Sequence, residues 1–212
     1  MSMKTSGDDP GARSGGKGAE GLALLTGVVL CGGESRRMGR DKGLLKIGET
    51  SWAQYMAAKL APWRLPVVYS INPGQAAAYS ALIPGDQLII DALGLHGPLE
   101  GLFSVHARLP DKDFLLLACD MPDLDMPTIQ KIIEAYREKQ RYDFYVYQEE
   151  LPGESFIQPF CGIYTSAGLA GTFASYRGEP AGDGSLQALL RKGLTQKLSL
   201  ERTEAFRNYN SL

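Results

Sequence analysis

Short apolar runs alternate with longer amphipathic stretches along residues 22–142 of this chain of 212 residues. The runs are LTGVVLC (25–31), VVYSI (67–71), LII (88–90) and FLLLAC (114–119). Near-continuous hydrophobicity over a strand's length predicts strands covered on both faces, as in parallel sheets. Between them SWAQYMAAKLAPW (51–63), QAAAYSAL (75–82), PLEGLFSVHARL (98–109) and TIQKIIEAYREKQ (128–140) bring apolar residues round at helical spacing. Pro98 suits a first helical turn, Pro110 with Asp111 stops that helix, and Pro127 stands just before the next. Strand–helix alternation of this kind predicts a three-layer α/β fold: a mostly parallel sheet, wound right-handedly, with a Rossmann-like nucleotide-binding half. After residue 142 the order loosens. FYVYQ (144–148), FIQPFCGIY (156–164) and LTQKLSL (194–200) read as strands around a helix at SLQALLRK (185–192), and are expected to add an antiparallel region. Pro159 marks an edge or a bulge. The alternating tyrosines of YDFYVYQ predict a half-exposed strand or a subunit contact.

Composition narrows the class. Hydrophobic residues at 44%, charged residues at 22% and a formal net charge of −2 are ordinary globular values. They argue against a general nucleic-acid binder, which is basic over a whole face. No apolar stretch approaches the ~20 residues that span a bilayer. Cys31, Cys119 and Cys161 form no Cys-x-x-Cys pair and adjoin apolar runs, which predicts buried free thiols in a reducing, cytoplasmic compartment. His96 and His106 alone do not make a histidine-rich zinc site. Residues 1–21 carry glycine, serine and charge with no apolar period and no signal-peptide h-region, which predicts a disordered tail ahead of a single domain over 22–212.

In open α/β sheets, ligands bind beyond the carboxyl ends of the strands. The first run ends in LCGGESRRMGRDKGLL (30–45), VVYSI in Asn72, LII in Asp91 and FLLLAC in Asp120. Asn and Asp also cap helices and open turns, but four polar elements delivered to one edge predict a site. Gly32 and Gly33 let backbone N–H groups approach an anion. Arg36, Arg37, Arg40 and Lys42 crowd into seven positions and would repel one another without one. Arg37 can grip phosphate oxygens bidentately and Lys42 can act as a mobile point charge, so a triphosphate is the natural guest. The loop is neither a Walker A nor a Rossmann motif. Asp120, followed by Pro122, has the makings of a Mg²⁺ ligand, whereas Asp123 and Asp125 read as exposed turn residues. Trp52, Trp63 and Met38 read as packing residues.

Five segments carry a resemblance. LCGGESRRMGRDKGLL (30–45) is similar to the Leu-x-Gly-Gly-x-Ser-x-Arg-Met-Gly-x-x-Lys signature of the MobA-like nucleotidyltransferases, with Cys31 where alanine is usual. GPLEGL (97–102) and ACDMP (118–122) resemble that family's Gly-Pro-Leu-x-Gly and metal-aspartate segments. QPFCGIY (158–164) and FRNYN (206–210) resemble its Gln-Pro strand and its closing Phe-x-Asn-x-Asn. Within the family the chain looks most like the molybdenum cofactor guanylyltransferases. The resemblance implies transfer of GMP from GTP to the terminal phosphate of molybdopterin, with Mg²⁺ as cofactor, pyrophosphate as leaving group, and cofactor-insertion or target molybdoenzyme proteins as further partners. It implies nucleotide contacts from Leu30, Cys31, Gly32, Gly33, Lys42, Asn72 and Asp91. Asp120 would hold the metal, Arg37 and Lys42 would act on the leaving pyrophosphate, and Gln158, Asn208 and Asn210 would lie towards the pterin. A cytidylyltransferase for the same cofactor usually has Leu-Ala-Ala-Gly here, and Gly32 is expected to leave room for the larger purine. A nucleotidyltransferase for another small phosphate would share the basic loop, and so would a non-catalytic nucleotide-binding module.

Overall fold

The computed structural model describes residues 22–32, 41–95, 97–176 and 185–209, so Gly33, Arg36, Arg37, Met38, Arg40, His96, Asn210 and the first 21 residues lie outside the described residues. The strands are β1 (Leu25–Leu30), β2 (Lys46–Ile47), β3 (Thr50–Ser51), β4 (Val67–Ile71), β5 (Leu88–Ile90), β6 (Asp113–Ala118), β7 (Phe144–Leu151), β8 (Glu154–Tyr164) and β9 (Thr195–Ser199). The helices are α1 (Trp52–Ala58), α2 (Ala76–Ser80), α3 (Pro98–Arg108), α4 (Met126–Glu138), α5 (Ser166–Tyr176) and α6 (Leu186–Lys192). Seven strands form one sheet in the order β5-β4-β1-β6-β8-β7-β9, and β2 with β3 makes a small separate ribbon. β5, β4, β1 and β6 run parallel. β8 is antiparallel to both β6 and β7, and β9 is parallel to β7.

Alternation within the strands feeds two cores. On one face Leu25, Val29, Leu115 and Leu117 pack with Ala53 and Met56 of α1 and Ile129, Ile132 and Ile133 of α4. On the other, Val28, Leu30, Phe114 and Leu116 pack with Leu99, Leu102 and Phe103 of α3, Leu169 of α5 and Leu186 and Leu189 of α6. This is the expected three-layer α/β arrangement, and β1 and β6 are buried along their whole length. Local chemistry sets the helix starts. Ser51 and Gln54 form a reciprocal capping box on α1. Asp125 accepts the Thr128 N–H at 2.9 Å on α4, with Pro127 in the first turn.

The last third departs from the sequence pattern at one strand and follows it at the next. β7 is not half-exposed: Phe144, Tyr145, Val146 and Tyr147 are all buried, because the strand lies between β8 and β9 under α4. Its tyrosines tolerate burial because their hydroxyls find carbonyls, Tyr145 on Lys139 and Tyr147 on Thr128. Pro159 does sit in a bulge. Tyr145 pairs with Ile163 while Tyr147 pairs with Gln158, so the residues between project out of register. Cys161 takes φ 54° there, and a Cβ on Gly162 would stand 2.9 Å from the Pro159 carbonyl oxygen.

Candidate active site

The carboxyl ends of β1, β4, β5 and β6 open on one edge of the sheet, and the polar residues that follow them meet there. Lys42 opens a 3-10 turn (Lys42–Leu44), and its Nζ lies 2.8 Å from Asp120 Oδ2 just beyond β6. Both side chains are only 13% exposed, so the pair feels less solvent screening than a surface salt bridge. Asp91 follows β5 and is half-buried; the fully buried Ser70 donates its hydroxyl to Oδ1 at 2.9 Å. Burial pushes the Asp91 carboxyl up to about 6, the Ser70 hydroxyl opposes that rise, and Glu100 adds to it. A Cβ on Gly32 would stand 2.7 Å from Asp91 Oδ2. The space expected to serve a purine is therefore filled at that point by the Asp91 carboxylate, and glycine allows its approach.

A second set of residues fixes the turn that carries Lys42. Gln75 donates its amide to the Cys31 carbonyl at 2.9 Å and to Asp41 Oδ2 at 2.7 Å, and its oxygen accepts the Asn72 N–H at 2.8 Å. One side chain thus ties the end of β1, the end of β4 and the returning loop. Asp41 caps the Lys42 turn, taking the Gly43 N–H at 3.0 Å and the Tyr79 hydroxyl at 3.1 Å. A Cβ on Gly43 would meet that hydroxyl at 2.1 Å, so only glycine lets Tyr79 reach Asp41. Burial, chiefly, drives the Tyr79 phenol far above its ordinary range, so it stays a donor.

Asp120 is held from the other side by the C-terminal segment. The Tyr209 N–H bonds the Asp120 carbonyl at 3.2 Å, its hydroxyl reaches Asp123 Oδ2 at 2.7 Å, and its ring meets Trp52 edge-on at 5.8 Å. Phe206 anchors the segment, buried with its ring 5.3 Å from Tyr147. Asp123 and Asp125 are thus structural: Asp125 caps α4 and accepts Arg202 at 3.0 Å. Among the described residues no three His, Cys, Asp or Glu side chains gather into a metal site. A lone carboxylate at a strand end does not suit zinc, but it suits Mg²⁺, which takes one or two carboxylates and completes its shell with phosphate oxygens and water.

Leu30 and Cys31 turn their side chains into opposite cores, each 6% exposed, which leaves their backbone to face the edge. Asn72 sits half-buried between Gly32 and the Gln75 turn. Gln158 lies opposite Tyr147 with its amide nitrogen 3.5 Å from Glu149, and Asn208 is exposed on the segment ending at Tyr209. Gly33, Arg37 and Asn210 fall outside the described residues. The sequence pattern does not point to Asp41, Gln75, Tyr79, Ser70 or Tyr209. For Gln75 a signal was available, since Asn-x-x-Gln before a helix has capping-box spacing.

The same scaffold occurs in known proteins. The MobA-like NTP transferase domain family matches residues 27–198. A probable molybdenum cofactor guanylyltransferase of Nostoc is 28% identical over 88% of this chain and 86% of its own length. A molybdenum cofactor biosynthesis bifunctional protein of Synechocystis is 30% identical over 74% of this chain. The chain spans about half the length of two of its curated relatives, 44% and 51%. Among solved structures, the molybdopterin-guanine dinucleotide biosynthesis protein A of Archaeoglobus fulgidus superposes with a TM-score of 0.66 at 17% identity, covering 88% of this chain and 92% of that one. With residues 27–198 matched, most of its length, the chain belongs to the MobA-like NTP transferase family.

Proposed function

We propose that this chain transfers GMP from GTP to the terminal phosphate of molybdopterin and releases pyrophosphate. The observation that carries the reading is the approach of Lys42 to Asp120, 78 residues apart in sequence, on the edge that also holds Asn72 and Asp91. The acceptor phosphate is already an anion, so no general base is required. A P–O bond forms to the α-phosphorus as the bond to pyrophosphate breaks, and the protein's task is alignment and charge neutralisation. Lys42, on a four-carbon stem, can swing from Asp120 to the leaving phosphates, and Arg37 is assigned the same role. Asp91, acceptor-only when ionised, suits the N1–H and N2–H donors of guanine. Leu30, Cys31, Gly32, Gly33 and Asn72 complete the nucleotide contacts. Mg²⁺ on Asp120 would neutralise charge on the phosphates. Gln158, Asn208 and Asn210 are assigned to the pterin side.

The test is pyrophosphate release from GTP that depends on added molybdopterin and on Mg²⁺. Asp120→Asn should lower turnover at least ~100-fold, since a metal supplies several kcal/mol of charge stabilisation. Near-wild-type turnover in that variant would sink the assignment of Asp120.

A further inference from the structure

We propose that the exposed face of the β7–β8 hairpin is the subsite for the acceptor's pterin ring. Phe156 stacks on the ring and Glu149 accepts its N3–H and 2-amino hydrogens. The inference rests on the guanylyl-transfer reading above and adds Phe156 and Glu149 to it.

Register fixes where this face lies. Phe156 pairs with Glu149 and Gln158 pairs with Tyr147, and residues directly opposite in an antiparallel pair share a face. Tyr147 faces α4, with its hydroxyl on the Thr128 carbonyl at 2.7 Å, so Glu149 and Phe156 continue that face two residues further. There the cover of α4 has ended, because the helix begins at Met126, and Phe156 is left 47% exposed. Height along the sheet follows from the same ladders. Tyr145 is level with Leu115 through Ile163, so four residues on, Glu149 is level with Cys119, the residue before Asp120. Strands stand about 4.8 Å apart, which brings the hairpin face within roughly 5–10 Å of the end of β6. The C-terminal segment crosses the same side, with Phe206 on Tyr147 and Tyr209 on Asp120. Hairpin face and segment thus lie on the same side of the sheet as Asp120, with Gln158 two residues along the hairpin from Phe156.

The chemistry of the hairpin face selects one end of the acceptor. Glu149 and Glu154 share the face of Phe156, so a phosphate is repelled there and must point back towards Lys42. The acceptor's pterin presents a planar, uncharged pyrimidinone ring with two adjacent N–H donors, which a carboxylate beside a phenyl ring matches.

The test separates the two substrates kinetically. Phe156→Ala should raise the molybdopterin KM about tenfold, in line with loss of one aromatic stack. The GTP KM and the Tm should stay where they are. Phe156→Tyr should restore the acceptor KM, and Glu149→Gln should raise it. An unchanged acceptor KM in Phe156→Ala, or an equal rise in both KM values, overturns the subsite and leaves guanylyl transfer standing. Absence of acceptor-dependent pyrophosphate release in the wild type removes the transfer reading and the subsite with it.

Discussion

Replacing Gln75 with alanine removes three hydrogen bonds at once and should loosen the Lys42 turn. Two go to backbone groups, the Cys31 carbonyl and the Asn72 N–H, and one goes to the Asp41 carboxylate. A neutral bond contributes about 0.5–1.5 kcal/mol net and one to a charge about 1.5–3 kcal/mol. Gln75 is half-buried, so water can replace part of this, and a loss of about 2–3 kcal/mol is expected. For a domain of this size that lowers Tm by roughly 5–10 °C. The larger effect should be on rate, because Asp41 caps the turn carrying Lys42, and a displacement of about 1 Å at a positioning group can cost ~100-fold. By the same reasoning kcat/KM for GTP should fall about 10–100-fold. Gln75→Glu should be worse than alanine, since it sets two carboxylates where the bond is now 2.7 Å. Gln130→Ala, which removes only an exposed bond to Glu134, serves as the control and should stay within about 0.5 kcal/mol. Thermal melts and pyrophosphate release measure both effects. A Gln75→Ala protein that melts and turns over like the wild type would refute the idea that this side chain fixes the site.

Other outcomes follow from Asp91 and Gly32. Gly32→Ala should raise the GTP KM with little loss of Tm, because the new methyl stands 2.7 Å from Asp91 Oδ2 and displaces the carboxylate; an unchanged KM would remove Asp91 from the nucleotide contacts. GTP affinity should fall as pH drops through about 6, where Asp91 takes up a proton, and Asp91→Asn should bind more weakly and lose that dependence. Stability moves the other way. The folded carboxyl titrates near 6 and the unfolded one near 3.8, so between those values only the folded form holds the proton. This group therefore favours the fold at the acid end of that window and less as pH rises through 6, which melts of the wild type and Asp91→Asn across about pH 4–7 resolve.

The strands and the edge they share were legible because each buried strand announces itself as an apolar run and ends on a polar residue. Asn72, Asp91 and Asp120 could be picked from that pattern alone. The connections between them could not. Asp41 stands in a basic loop with no pattern of its own, and only the fold brings Gln75, 34 positions away, against it. Ser70 is a small polar residue in an apolar strand, and nothing in sequence says that it will hold Asp91. The tyrosines of β7 misled for a related reason. Their alternation suggests an open face until α4 and the residue that ends it supply carbonyls for their hydroxyls.

The most direct measurement is kcat/KM for pyrophosphate release with GTP, CTP, ATP and UTP in turn, at fixed molybdopterin and Mg²⁺, for the wild type and Asp120→Asn. A clear preference for GTP, lost with the carboxylate, is the predicted result. A preference for CTP, or turnover indifferent to Asp120, would contradict the account.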